Sequence, residues 1–213
     1  MNKLAAKRIT TFKIGITGNS CTGKTLIRNA LQRYGVNTLD AEEAVMQMLA
    51  DNPYKLSIRL TDHFGSDVID SRGRFSRKKL AAILYTDSEK KAMFDEKLNP
   101  VIREEIKRFL YGPMGSHIRA VESPLLLEMD TMHLFDEIWV VTTRPEIQIQ
   151  RLMTRDQLSE AEANNLIDSQ WSQDKKIAMS DRVIDNSGEI HQTESQVRKI
   201  LDEVKHRVYK VGI

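Results

Sequence analysis

Apolar positions along this chain alternate between two rhythms. Phe12-Lys13-Ile14-Gly15-Ile16-Thr17 reads as a short strand, and a glycine-bearing loop leads from it into Leu26-Ile27-Arg28-Asn29-Ala30-Leu31, whose spacing is helical and is closed by Gly35. Val36 to Leu39 is short and apolar again and ends on Asp40. Strand, loop, helix, strand is the opening of a βαβ unit, so the strands are expected to run parallel.

From about residue 41 to 111 the rhythm is helical, carried by Ala44–Met48, Leu56–Phe64, Leu80–Tyr85 and Val101–Leu110. This exceeds what one crossover helix needs, and Gly65, Gly73 and Pro100 are expected to break it into the pieces of an inserted helical lobe. The strand signal resumes at Ile118 to Val121 and at Glu137 to Thr142, the second with the near-continuous apolar run of a strand buried on both faces. Residues 145–170 read as helical and charged, with Arg151 and Arg155 one turn apart. Arg182 to Asp185 is a last short strand, and a helix from about Thr193 to Val208 follows. The expected class is α/β with a parallel sheet.

Composition narrows this picture. The 213 residues are 40% hydrophobic and 29% charged, which excludes collagen-like, fibrous and wholly disordered chains. The formal charge of +2 carries no excess suited to nucleic acid, so any polyanionic ligand must be met by a local site. A single cysteine, Cys21, fits a reducing compartment. The N-terminal stretch lacks an apolar secretion core and no run reaches the ~18 apolar residues of a membrane span, so a cytoplasmic location with no membrane partner is expected.

One segment carries specific chemistry. Gly18-Asn19-Ser20-Cys21-Thr22-Gly23-Lys24-Thr25 fits G-x-x-x-x-G-K-[ST], in which small residues let backbone N–H groups wrap phosphates, the lysine reaches the terminal phosphates and the threonine hydroxyl ligates Mg²⁺. It follows a predicted strand and opens a predicted helix, where unpaired N–H groups and the helix dipole favour an anion. Cys21 has no partner cysteine and reads as a small spacer in this loop. A GTP switch would carry an N-K-x-D-like guanine reader after a later strand, and none is present. The second strand ends instead in carboxylates, Asp40-Ala41-Glu42, where strand ends meet a ligand crevice.

From about Phe12 to Tyr209 the chain resembles the dephospho-CoA kinase family. The resemblance rests on ordered motifs: T-G-x-x-x-x-G-K-T (Thr17 to Thr25), D-A-E (Asp40 to Glu42), H-F-G (His63 to Gly65), N-P-V-I-R (Asn99 to Arg103), S-P-L-L-L-E (Ser123 to Glu128), R-x-x-x-R-D (Arg151 to Asp156) and V-I-D-N-S-G (Val183 to Gly188). It implies a three-layer P-loop NTPase fold in which a nucleotide core (about 10–40, 115–144 and 172–213) carries a helical acceptor lobe (about 41–114) and a helical lid (about 145–171). The implied reaction moves the γ-phosphoryl of ATP, with Mg²⁺, to the ribose 3′-hydroxyl of dephospho-CoA. Another nucleoside-like acceptor, or a paralogue that binds nucleotide without turnover, are the competing readings.

By the same resemblance, residues 18–25 bind the triphosphate, Arg151 and Arg155 close on it from the lid, Asn186 contacts adenine, and Glu42 or Asp40 accepts the acceptor's proton. Asp40 also suits the cap of the next helix. The chain departs from the family pattern at Asn19, where a second loop glycine is usual, at Met46 for an arginine, at Asn99 for a histidine and at Glu122 for an aspartate. The Met46, Asn99 and D-x-D changes are expected to fall on the acceptor side. Trp139 is expected in a buried strand, and Trp171 is expected to pack.

Overall fold

The protein is described here from a computed structural model, covering residues 11–51, 64–69, 79–80, 83, 87–113 and 117–210. Five strands form one sheet in the order β2-β3-β1-β4-β5: β1 Phe12–Thr17, β2 Asn37–Asp40, β3 Ile118–Glu122, β4 Glu137–Thr142 and β5 Arg182–Asp185. The pairings of β1 with β3, β1 with β4, and β4 with β5 are parallel. The chain moves from β1 to one side of the sheet and later to the other, so the crevice where ligands bind in such sheets opens at the carboxyl end of β1.

Alternation along the strands builds two cores. Ile14 and Ile16 of β1, Ile118 and Ala120 of β3, and Trp139 and Val141 of β4 face one side. There they meet Ile27, Ala30 and Leu31 of α1 (Lys24–Arg33) and the Val197, Leu201, Val204 stripe of the last helix, each at helical spacing. On the opposite face Ile138 packs with Leu126 and Leu127, and Trp171 rests against that cluster. Gly15 lies there because a Cβ would stand 2.8 Å from Ile138 Cδ1 and 2.9 Å from Leu126 Cδ1. Trp139 is fully buried with its Nε1–H on Glu137, while Trp171 packs beneath the Lys175 ammonium, 3.2 Å from the ring centroid.

Two compact units divide the chain, residues 40–109 and the remainder. The smaller unit holds α2 (Ala41–Asp51), a short 3₁₀ turn (Ser66–Val68) and most of α3 (Ser88–Tyr111). Here one expectation is corrected: Pro100 does not break the helical pattern but lies inside the 24-residue α3. An interior proline removes one hydrogen bond at a cost of about 3 kcal/mol. The orphaned carbonyl is that of Glu96, which is exposed and open to water, and burial of Leu98, Ile102 and Ile106 at four-residue spacing carries the helix across the fault. Phe64 meets Phe94 edge-on at 5.9 Å in the same unit, and Gly73 lies outside the described residues.

The charged stretch after β4 forms three helices, α4 (Pro145–Asp156), α5 (Glu160–Asp168) and α6 (Gln173–Ala178). Ser159 and Glu162 make a reciprocal capping box that starts α5, and Ser172 caps α6. The last helix, α7 (Ile190–Lys210), begins three residues before the apolar pattern does. No helix among the described residues is long and apolar enough to cross a membrane.

Candidate phosphate-transfer site

The loop between β1 and α1 is shaped by residues that tolerate unusual backbone. Gly18 has φ 142°, Cys21 φ 60° and Gly23 φ 100°. At Gly18 a Cβ would meet the Val141 carbonyl oxygen at 2.3 Å, and at Gly23 it would meet Asn186 Nδ2 at 1.9 Å, so side chains are excluded by packing as well as by φ. Inside the turn, the Asn19 carbonyl accepts from Thr22 N–H at 3.3 Å, from Thr22 Oγ1 at 3.0 Å and from Lys24 Nζ at 3.0 Å. The lysine, 8% exposed, is thus folded back into the loop it follows.

Three further segments hold this loop from outside. Asn186, just past β5, donates Nδ2–H to the Thr22 carbonyl at 2.8 Å and accepts from Thr193 Oγ1 at 3.0 Å. Gln148 on α4 donates to the Ser20 carbonyl at 2.7 Å, Gln170 accepts the Ser20 N–H at 2.9 Å, and Asn19 Nδ2 donates to the Trp171 carbonyl at 3.1 Å. Lys176, fully buried, fixes the end of this belt by pairing with Glu128 at 2.9 Å and donating to the Pro124 carbonyl at 2.7 Å.

Charge gathers at the loop's margin. Arg151 donates from NH2 to the Asn186 carbonyl at 3.1 Å, while its NH1 is sealed from solvent with no hydrogen-bond partner among the described residues. Arg155 grips Asp156 through Nε at 2.8 Å and NH2 at 2.6 Å. Burial pushes the Cys21 thiol up, with the Arg155 charge opposing, so the group stays a protonated spacer rather than a thiolate.

Thr25 Oγ1 donates to Glu122 Oε1 at 3.1 Å, bringing a hydroxyl and a buried carboxylate together at the end of β3. Two hard oxygen donors beside a phosphate loop suit Mg²⁺. In the other unit, Asp40 Oδ1 accepts the Glu43 N–H at 2.9 Å and so caps α2. Glu42 is half-buried with Oε1 sealed from solvent, and Asn99 Oδ1 is buried without a hydrogen-bond partner among the described residues.

The model of the dephospho-CoA kinase family matches residues 12–192 of this chain. The chain belongs to that family. It is 31% identical to the dephospho-CoA kinase of Shouchella clausii over 92% of this chain and 100% of that one, and 34% identical to the Staphylococcus epidermidis enzyme over 89% and 94%. The crystal structure of TT1252 from Thermus thermophilus superposes with a TM-score of 0.71 at 25% identity, covering 91% of this chain and 97% of that one. A shikimate kinase from Acinetobacter baumannii, in complex with shikimate, shares the fold alone, with a TM-score of 0.54 at 14% identity over 93% and 95%. The chain is therefore a P-loop kinase.

Within this kinase the structure brings together residues 18–25, Arg151 and Asn186, and adds three that the sequence reading did not assign. Glu122, noted only as a departure from the family pattern, lies against Thr25, and the other departure in this unit, Asn19, is the tie to Trp171. Gln148 and Gln170 are uncharged residues on charged segments and carry no sequence signal. Their partner Ser20 lies 128 and 150 residues away.

Proposed function

We propose that this kinase phosphorylates the ribose 3′-hydroxyl of dephospho-CoA with ATP in the cytoplasm, completing coenzyme A. The observation that carries the reading is the family match across residues 12–192, joined to a phosphate loop closed at both glycines. Backbone N–H groups of residues 18–25 bind the phosphates, and Lys24 and Arg151 supply positive charge to the equatorial oxygens in the transition state. Arg151 is supported in this role by a guanidinium held at one end by Asn186 with NH1 left over. Arg155 joins it by exchanging Asp156 for phosphate.

Thr25 and Glu122 would hold Mg²⁺, which would supply positive charge against the phosphate oxygens. The acceptor oxygen bonds to the γ-phosphorus as the bond to the bridging oxygen breaks, ADP keeps that electron pair, and the hydroxyl proton passes to a carboxylate. Glu42 takes this proton by its match to the second carboxylate of the family's D-x-D, while Asp40 Oδ1 caps α2. Asn186 has one amide hydrogen and one lone pair left for adenine after bracing the loop.

Steady-state transfer to dephospho-CoA tests the reading: turnover that falls sharply in Glu42→Ala supports it, and tight ATP binding with no transfer to dephospho-CoA overturns it. Acceptor recognition gives a second expectation. Met46 stands where the family pattern has an arginine, so Met46→Arg is expected to change the acceptor KM several-fold while leaving the ATP KM within a factor of about two. Equal shifts in both would remove Met46 from the acceptor side.

A further inference from the structure

Thr25 and Arg28 lie one turn apart on α1 and share a single carboxylate. The threonine hydroxyl donates to Glu122 Oε1 at 3.1 Å, while Arg28 Nε stands 3.1 Å from Oε2. The Nε and Oε2 atoms are both sealed from solvent, and the two side chains are 20% and 6% exposed. The two oxygens of Glu122 are thus divided, one facing the proposed metal ligand and one in an ion pair with Arg28, whose Nε is sealed from solvent.

We infer that Arg28 is a positioning residue that makes Glu122 a one-oxygen ligand and so gives the site its preference for a small octahedral cation over a larger one. The inference rests on the assignment of Mg²⁺ to Thr25 and Glu122. Mg²⁺ takes single oxygens in a strict octahedron and keeps several waters, whereas Ca²⁺ accepts six to eight oxygens and readily takes a carboxylate through both. A carboxylate free to rotate can turn both oxygens onto the larger ion. Here that rotation must take Oε2 out of an ion pair whose facing atoms are both sealed from solvent and bring a divalent ion closer to the guanidinium, which opposes two-oxygen binding. A glutamate has one more rotatable bond than the family's aspartate, so its orientation depends more heavily on an outside constraint.

Calorimetric Kd values for the Mg²⁺ and Ca²⁺ complexes of a non-hydrolysable ATP analogue, with thermal melts of each variant, test this. The readout is the ratio of the two Kd values, since removing a cation strengthens attraction for both ions. Arg28→Met is expected to lower the Mg²⁺ preference about tenfold, roughly the worth of one added carboxylate oxygen contact. Arg28→Lys is expected to recover part of that preference. Arg28→Gln, which keeps a polar side chain but removes the charge, is expected to lower the ratio as well and serves if Arg28→Met does not fold. A folded Arg28→Met or Arg28→Gln protein with the wild-type ratio overturns the inference. If Thr25→Val and Glu122→Gln both bind each complex as wild type does, the metal lies elsewhere, and the metal assignment and the inference fall together.

Discussion

Lys24→Ala lowers kcat for phosphoryl transfer by about 10³, with the protein still folded. Removing one preorganised donor from a water-poor site costs about 10²–10³ in rate, and a full positive charge aimed at a transferring phosphoryl group belongs at the upper end. Lys24 is 8% exposed and its ammonium is drawn into the loop at 3.0 Å from the Asn19 carbonyl, beside the backbone that the motif wraps around phosphate. The fold survives because the Asn19 carbonyl keeps two donors from Thr22. Lys24→Arg is expected to recover little, since a planar fork does not fit the turn that a compact ammonium fills. Single-turnover rates with a melting curve for each variant decide the point, and a loss below tenfold in Lys24→Ala removes the lysine from the chemistry.

Gly18→Ala is the second large effect, and it falls on stability. The φ of 142° is outside the range of L side chains, and the added Cβ meets backbone, the Val141 carbonyl oxygen at 2.3 Å. Backbone cannot swing away as a side chain can, so strain and overlap together cost about 3 kcal/mol or more and lower Tm by roughly 10 °C. Gly35 supplies the control: its φ is 81°, but nothing lies within 4 Å of a Cβ there. Gly35→Ala is expected to cost about 1 kcal/mol, from backbone conformation alone. Urea unfolding of the two variants measures the difference, and equal losses would show that steric closure against β4 contributes nothing.

The elements legible in the sequence are those with local causes. Strands β1, β3 and β4 announce themselves by short apolar stretches, and the phosphate loop by a spacing that a loop wrapped around phosphate dictates. Pro100 misleads because its cost is local while the burial of Leu98, Ile102 and Ile106 that outweighs it is tertiary. Glu122 is illegible as a partner of Thr25 because 97 residues separate them, and only the pairing of β3 with β1 brings the strand ends together. The glutamines that clasp Ser20 are hidden for a different reason: an amide side chain looks the same in sequence whether it faces water or a backbone group. Asp40 was readable in both its senses, as a capping residue and as a strand-end carboxylate, and one of its oxygens serves the cap.

The bond between the Ser20 N–H and Gln170 has a thermodynamic consequence. Under the proposed function a phosphate oxygen competes with Gln170 for the Ser20 N–H, so binding exchanges one acceptor for another and releases a side-chain amide. Conformational freedom gained by Gln170 offsets part of the freedom lost by the nucleotide.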